Sequence, residues 1–363
     1  MTRMKGRSLK QFLLAILLLL PVMLDAQNLP VVFAHRGCWL ENEVPENSVE
    51  AVAMAKRYGY PAIECDVHYT KDSVMVIMHD FRNMKRCIRK RKGYARLDSV
   101  LGTADITYED LKRGYVLASK NKAYRVPVPT LEEILTACKE HGIKPILHSN
   151  EVESYHMAQR MFGNDWIAFS GKDSALTEAR RISDCMILMS RNNATADSTI
   201  RAMRALGGKV GLSSMNYEMY TREFCDSIRQ AGFDVQASIF PAPYEAHAVA
   251  NGASILLSNY VYMPNTGKKP YGKKKTGRHL FIIGEGTSIE ADKETEFGAS
   301  VLQVTFKGTL SVKFNDKLTY TFHHADWGTD IFGVRHFKKK PKVDIMSLET
   351  SEIKSATLSF YEF

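Results

Sequence analysis

Residues Trp166–Ser214 read WIAFSGKDSALTEARRISDCMILMSRNNATADSTIRAMRALGGKVGLSS. Three short apolar runs, Trp166–Ser170, Cys185–Ser190 and Lys209–Ser214, alternate there with two segments of helical period, Asp173–Ile182 and Asp197–Leu206. A strand followed each time by a helix returns to the sheet in the same direction, so the sheet is expected to be parallel. The pattern extends both ways, with strands at Val31–His35, Ala62–His68, Lys144–Ser149, Phe233–Ile239 and Ala253–Ser258 and helices at Ser48–Arg57, Leu131–His141 and Glu218–Ala231. Eight parallel strands within roughly 230 residues fit a closed (β/α)8 barrel better than an open doubly wound sheet. The expected fold class is α/β, with the barrel over residues 27–263.

One piece breaks the alternation. Val74–His79 follows Ala62–His68 after only Thr70-Lys71-Asp72-Ser73, too short for a crossover, so it reads as a hairpin arm. If Tyr69 faces Val74 across that turn, His79 stands opposite Glu64 and Ile77 opposite Asp66. From about 81 to 126 no barrel period is evident. That stretch carries Lys85, Arg86, Arg89, Lys90, Arg91 and Lys92 and reads as a loop insertion, a solvated charged segment before an anion-binding lid.

The character changes near Pro264. Asn265-Thr266-Gly267 and the basic run Lys268, Lys269, Lys273, Lys274, Lys275 and Arg278 read as a linker. Beyond it, Leu280–Ile283, Val301–Phe306, Thr309–Phe314, Leu318–His323 and Lys354–Tyr361 read as strands of a small C-terminal β-sandwich, so residues 264–363 form a linker and a second, all-β domain. His323, His324, Asp326 and Trp327 suggest at most a sugar contact, and the ligand of this domain stays open.

The chain of 363 residues is 45% hydrophobic and 25% charged, a globular composition that excludes disordered, collagenous and disulfide-dense classes. At the N-terminus, Arg3, Lys5, Arg7 and Lys10 precede the 13-residue apolar run Phe12–Leu24, shorter than a membrane span. Residues 1–26 therefore read as a signal peptide, which implies export to the periplasm, the cell surface or the medium. Its removal takes away those four cations and Asp25 and lowers the net charge from +9 to +6. The six cysteines contain no CxxC, which removes zinc-ribbon and thioredoxin readings, and no catalytic cysteine is expected. Walker, GxSxG and HExxH motifs are missing too.

Four short pieces carry chemistry: His35-Arg36-Gly37, Pro45-Glu46-Asn47-Ser48, Glu64-Cys65-Asp66 and His79-Asp80. Glu64 and Asp66 lie two apart on a strand and share a face, where two like charges are costly unless a cation relieves them. Oxygen ligands favour a hard divalent ion, Ca²⁺ or Mg²⁺. His35 and His79 flank them as an acid/base pair, and the fork of Arg36 suits a phosphate. The set suits cleavage of a phosphodiester.

These strings, HRG, PENS, ExD and HD in this order, with Pro129-Thr130-Leu131-Glu132-Glu133 ahead of the next strand, resemble the glycerophosphodiester phosphodiesterase family over about residues 31–260. The resemblance implies a TIM-type barrel, His35 and His79 as general acid and base, Arg36 as phosphate contact, Glu64 and Asp66 as metal ligands, and Glu46 near the substrate. It also exposes departures. The family's third strand ends in Glu-x-Lys, where this chain has His148 and Asn150; the late-strand tryptophan is missing from Phe233–Ser238; and Ser258-Asn259 replaces Thr-Asp. His148 as a third ligand would admit Mn²⁺ or Zn²⁺, and Asn150 would take the substrate contact of the lysine. Otherwise His148 is structural, with Glu151 or water completing a weaker site.

The expected function is hydrolysis of glycerophosphodiesters, or related lipid headgroup diesters, to glycerol 3-phosphate and an alcohol. The alternatives are a phospholipase C/D-like lyase on the same barrel and a non-catalytic phosphodiester-binding protein. No nucleic-acid partner is expected, and the basic linker suggests at most a peripheral contact with a membrane surface.

Overall fold

The structure is a computed structural model that describes residues 30–39, 44–94, 101–239, 251–259, 270–278, 287–314, 318–340, 342–347 and 352–362, with positions 245, 248 and 249. The expected signal peptide and the expected strand Leu280–Ile283 lie outside the described residues. Among those described, no helix is long and apolar enough to cross a membrane.

In chain order the first part runs β1 (Val31–Ala34), α1 (Val49–Arg57), β2 (Ala62–Tyr69), β3 (Met75–Ile77), β4 (Ile88–Lys90), α2 (Tyr108–Gly114), β5 (Tyr115–Leu117), α3 (Leu131–His141) and β6 (Lys144–His148). It continues with α4 (Val152–Phe162), β7 (Ile167–Ser170), α5 (Asp173–Ile182), β8 (Met186–Ser190), α6 (Ala196–Leu206), β9 (Val210–Ser214), α7 (Arg222–Gln230), β10 (Asp234–Ser238) and β11 (Ile255–Ser258). Strands β1, β2 and β6 to β11 are all parallel, and β1 pairs with both β11 and β2, so the sheet closes into the expected barrel. Side-chain alternation sorts its residues into two cores. Val32, Ile63, Cys65, Leu147, Leu212 and Val235 face the helices, whereas Phe33, Ala62, Ile146, Phe169, Leu188 and Leu257 fill the interior. Two residues beyond Phe33, Ala62 and Ile146 on the inward side come His35, Glu64 and His148, followed by Asp66; His35 lies just past β1, His148 ends β6, and Asp66 pairs with His148 where the longer β2 runs on past the barrel. The fold thus gathers the candidate residues at one mouth. Helix α3 starts on the capping box of Thr130 and Glu133, in which Glu133 N donates to Thr130 Oγ1 at 3.2 Å and Thr130 N to Glu133 Oε2 at 2.7 Å.

The hairpin register differs from the expected one by a single residue. Val67 pairs with Ile77 and Tyr69 with Met75, and Met78 N donates to Asp66 O at 2.9 Å. Ile77 is therefore opposite Val67 rather than Asp66, and His79 lies beyond the paired arm instead of opposite Glu64. The cause is the turn. Thr70 is still paired, its N–H donating to Val74 O, so the loop holds three residues and closes with Ser73 at φ 62°.

The stretch after His79 is more than a loop. Its β4 and β5 pair antiparallel, α2 lies between them in sequence, and Met78, Met84, Ile88, Ile106, Leu111 and Leu117 form a separate buried cluster. Strands of three residues are too short to show a period.

The C-terminal part is all-β but differs from a sandwich. Strands β12 (Pro270–Arg278), β13 (Thr287–Glu290), β14 (Thr295–Phe314), β15 (Leu318–Lys339), β16 (Lys342–Ser347) and β17 (Glu352–Glu362) form one antiparallel sheet among the described residues. The two expected strands Val301–Phe306 and Thr309–Phe314 are one strand, β14, with a register shift between Phe306 and Gly308. Leu302, Val304, Phe306, Leu310 and Val312 project from one face of it into a shared buried cluster. The stretch read as a linker is in part an edge strand, β12, paired with β17. A lysine-rich edge strand escapes a reading based on apolar runs, although lysine is a common way to keep such an edge from pairing further.

Candidate active site

The site begins at a strained turn. After β1 the chain enters the left-handed region at Arg36, φ 55°, and Gly37, φ 78°. A Cβ on Gly37 would sit 2.6 Å from that of Ala51 on α1, so only glycine lets the helix approach. The turn of Arg36 aims its backbone N–H at Glu64 Oε2, at 3.1 Å. Each residue of Pro45–Ser48 then has a task. Ser48 Oγ donates to Pro45 O at 2.7 Å and accepts from Ala51 N at 3.1 Å, capping α1. Asn47, at φ 57°, donates from Nδ2 to Asp66 Oδ2 at 2.9 Å.

Glu46 was expected to touch substrate, but its carboxylate is occupied. Arg36 Nη1 donates to its two oxygens at 3.2 and 3.3 Å, and Arg86 donates to them from Nη1 at 3.0 Å and Nη2 at 2.8 Å. Burial pushes this carboxyl up, but the Arg86 hydrogen bonds and the two guanidinium charges outweigh it and hold it below its ordinary range. Glu46 therefore positions Arg36, whose Nε lies 3.5 Å from Asp66 Oδ2. Arg86 also donates from Nε to Asp80 Oδ2 at 2.6 Å, and the other oxygen of Asp80 accepts from His79 Nδ1 at 2.5 Å. One continuous network thus joins Arg36, Glu46, Arg86, Asp80 and His79. The residue at its centre comes from the basic stretch expected to be solvated.

Glu64 and Asp66 are buried, and with His148 they present one ligand atom each within 4.8 Å of one another. His148 Nδ1 donates to Asp66 Oδ1 at 3.1 Å, and its ring stacks on Phe169 with centroids 4.5 Å apart. Burial opposes a charge on His148, but its hydrogen bond to Asp66 and the nearby carboxylates of Glu64 and Asp66 hold its pKa up at about 10. Asp66 is held far below its ordinary value: burial works against this and the hydrogen bond from His148 works for it. Glu64 Oε1 is buried without a hydrogen-bond partner, and His148 Nδ1 lies 3.4 Å from it. Two buried carboxylates, one of them with an unused oxygen, and an imidazole nitrogen pointing between them form a donor set that fits a divalent cation.

His35 is buried, its Nδ1 donates to Asn259 Oδ1 at 2.7 Å, and its Nε2 faces Glu64 Oε2 at 3.8 Å. Burial lowers its pKa. Asn259 keeps the acceptor that an aspartate would supply there, and so fixes the proton on Nδ1. His79 instead is half-exposed. Asn150 is exposed and accepts from Ser170 Oγ at 2.7 Å, beside His148 in sequence but outside the cluster. Glu151 is likewise not in it. Sequence reasoning missed Asn47, Arg86 and Asn259 as site residues, although Asn47 and Asn259 lie in strings already singled out. His68 was missed as well: its side chain follows Glu64 and Asp66 on the same strand face, and its ring stacks on Phe81 at 3.8 Å. Burial brings its pKa down to about 4.

The model of the glycerophosphoryl diester phosphodiesterase family matches residues 35–243, more than half of the chain. The chain belongs to this family. Among curated proteins of glycerophosphodiester phosphodiesterase name, mouse glycerophosphodiester phosphodiesterase 1 is 31% identical over 113 residues, 30% of this chain and 30% of the mouse protein. The glycerophosphodiester phosphodiesterase of Bacillus altitudinis is 34% identical over 110 residues, 29% of this chain and 38% of that protein. The chain therefore matches about a third of the length of these relatives. An Oleispira antarctica phosphodiesterase solved in complex with the product sn-glycerol-3-phosphate has the same fold, with TM-score 0.52 and 21% identity over 64% of this chain and 94% of that one.

Proposed function

We propose that this protein is a metal-dependent phosphoric diester hydrolase that converts glycerophosphodiesters to glycerol 3-phosphate and an alcohol. The observation that carries the reading is the set of buried Glu64 and Asp66 with half-exposed His148, beside which His35 faces Glu64 and His79 is held by Asp80. Glu64, Asp66 and His148 would hold the divalent ion, which supplies positive charge to a bound phosphate. Arg36, fixed by Glu46, adds a guanidinium beside Asp66 for the phosphate oxygens. Both histidines carry their Nδ1 proton on a carbonyl or carboxylate oxygen, which leaves Nε2 as the working atom. Buried His35 removes the proton of the attacking hydroxyl or water. Half-exposed His79 protonates the departing alkoxide.

His148 occupies the place of the family's third carboxylate, so it shifts the preferred ion toward Mn²⁺ or Zn²⁺ without emptying the site. The basic and apolar sequence before residue 27 supports export, with the barrel up to about residue 263 as the catalytic domain and the remainder as a second one. His35→Ala is expected to lower turnover of a glycerophosphodiester by about 10²- to 10⁴-fold with the thermal unfolding midpoint retained. Undiminished release of glycerol 3-phosphate by that variant contradicts the mechanism.

A further inference from the structure

His79 stands on the wall of an open basin of about 550 Å³, together with Asp80, Phe81, Arg82, Lys85 and Arg86. On the mechanism proposed above, with His35 buried against Glu64, the alcohol that His79 protonates would depart into this basin. We propose that this alcohol carries a negative charge, a phosphate or a carboxylate, and that an alcohol with a quaternary ammonium group is disfavoured. The inference rests on the hydrolase reading above and names its substrate class.

The basin has one carboxylate, Asp80, and both its oxygens are used, one by His79 Nδ1 and the other by Arg86 Nε. Glu46, behind Arg86, is likewise saturated by two guanidinium groups. Arg82 and Lys85 are exposed, and among the described residues neither has a carboxylate within ion-pair distance. A trimethylammonium group is recognised by a free aromatic face or an unpaired carboxylate. Phe81 offers no such face: His68 stacks on its ring at 3.8 Å with an interplanar angle of 19°, and the Arg82 guanidinium lies 5.2 Å from its centroid. What remains for a ligand is two cations on a surface of positive potential, which attracts an anionic headgroup and repels a cationic one.

The test compares kcat/KM of the purified protein on four diesters that share the glycerol 3-phosphate half: glycerophosphocholine, glycerophosphoinositol, glycerophosphoinositol 4-phosphate and glycerophosphoglycerate. The two anionic alcohols are expected to exceed neutral inositol by about tenfold at low salt, with choline slowest, and the ranking is expected to flatten as KCl rises from about 0.05 to 0.5 M. Which of the two anionic substrates leads tells phosphate from carboxylate. The double variant Arg82→Glu, Lys85→Glu should slow the anionic substrates and speed glycerophosphocholine, and the milder Arg82→Gln, Lys85→Gln pair reads the same direction if the reversal unfolds the protein. Glycerophosphocholine turned over as fast as the anionic substrates, or a ranking indifferent to salt, overturns the charge preference alone. Turnover of none of the four overturns the hydrolase reading and this inference with it.

Discussion

Near the carboxyl ends of β1 and β2 the inward positions hold His35, Glu64 and Asp66, whereas on β9 and β10 they hold Ser213, Gln236 and Ser238. Both groups are buried and both are polar. On β9 and β10 the polar atoms mostly satisfy one another: Ser213 and Ser238 share a hydrogen bond of 2.7 Å, and Gln236 Nε2 donates to both at 3.0 and 3.1 Å. On β1 and β2 they do not. Glu64 and Asp66 need Arg36, Asn47 and His148, and Arg36 in turn needs Glu46, which is shared with Arg86 from outside the barrel. The neutral patch needs little beyond its own two strands, with only Gln236 Oε1 left over, whereas the charged one draws partners from several loops, which couples the candidate site to the insertion after His79.

If that contrast is right, cutting the charged side should cost far more than cutting the neutral one. Glu46→Ala leaves the largely enclosed Arg36 with only Asp66, 3.5 Å from its Nε, for a carboxylate. We expect a loss of about 3 kcal/mol, read as a lower denaturation midpoint, together with a loss of activity. Arg86→Gln should cost less in stability but lower turnover by about 10- to 100-fold, because His79 loses its fixed Asp80. It also carries a pH signature. Asp80 is held at about 2, chiefly by the hydrogen bond from Arg86, with partial burial pulling the other way and the bond from His79 assisting. A depressed carboxylate supports its histidine above its own pKa and fails as pH falls through it. Without Arg86 that pKa climbs toward 3.8, so the acid limb of the rate profile should move to higher pH. Ser213→Ala, on the neutral side, should cost about 1 kcal/mol and leave turnover within about twofold. A Ser213→Ala variant as damaging as Glu46→Ala would erase the contrast.

The barrel was legible because its eight strands stand out as short runs rich in apolar or β-branched residues, and because segments of recognisable helical period separate most of them. Glu64 and Asp66 were placed on one face by strand geometry alone. The register of the hairpin was not legible, since one residue of loop length turns on Thr70 remaining paired and Ser73 adopting a positive φ. Arg86 lay hidden for a different reason. It sits at the end of a short 3-10 turn, Met84–Arg86, and meets a glutamate 40 residues earlier, a contact that no local pattern encodes. Strand β12 was missed because edge strands are marked by charge rather than by apolar alternation.

Glu64, Asp66 and His148 are proposed to hold a divalent ion needed for diester hydrolysis. The most direct measurement is release of glycerol 3-phosphate by the purified protein after treatment with EDTA and readdition of Ca²⁺, Mg²⁺, Mn²⁺ or Zn²⁺ one at a time. Turnover is expected to fall to background after EDTA and to return with at least one ion, and His148→Ala is expected to alter which ion restores it. Full turnover in EDTA, or none with any ion, would contradict that assignment.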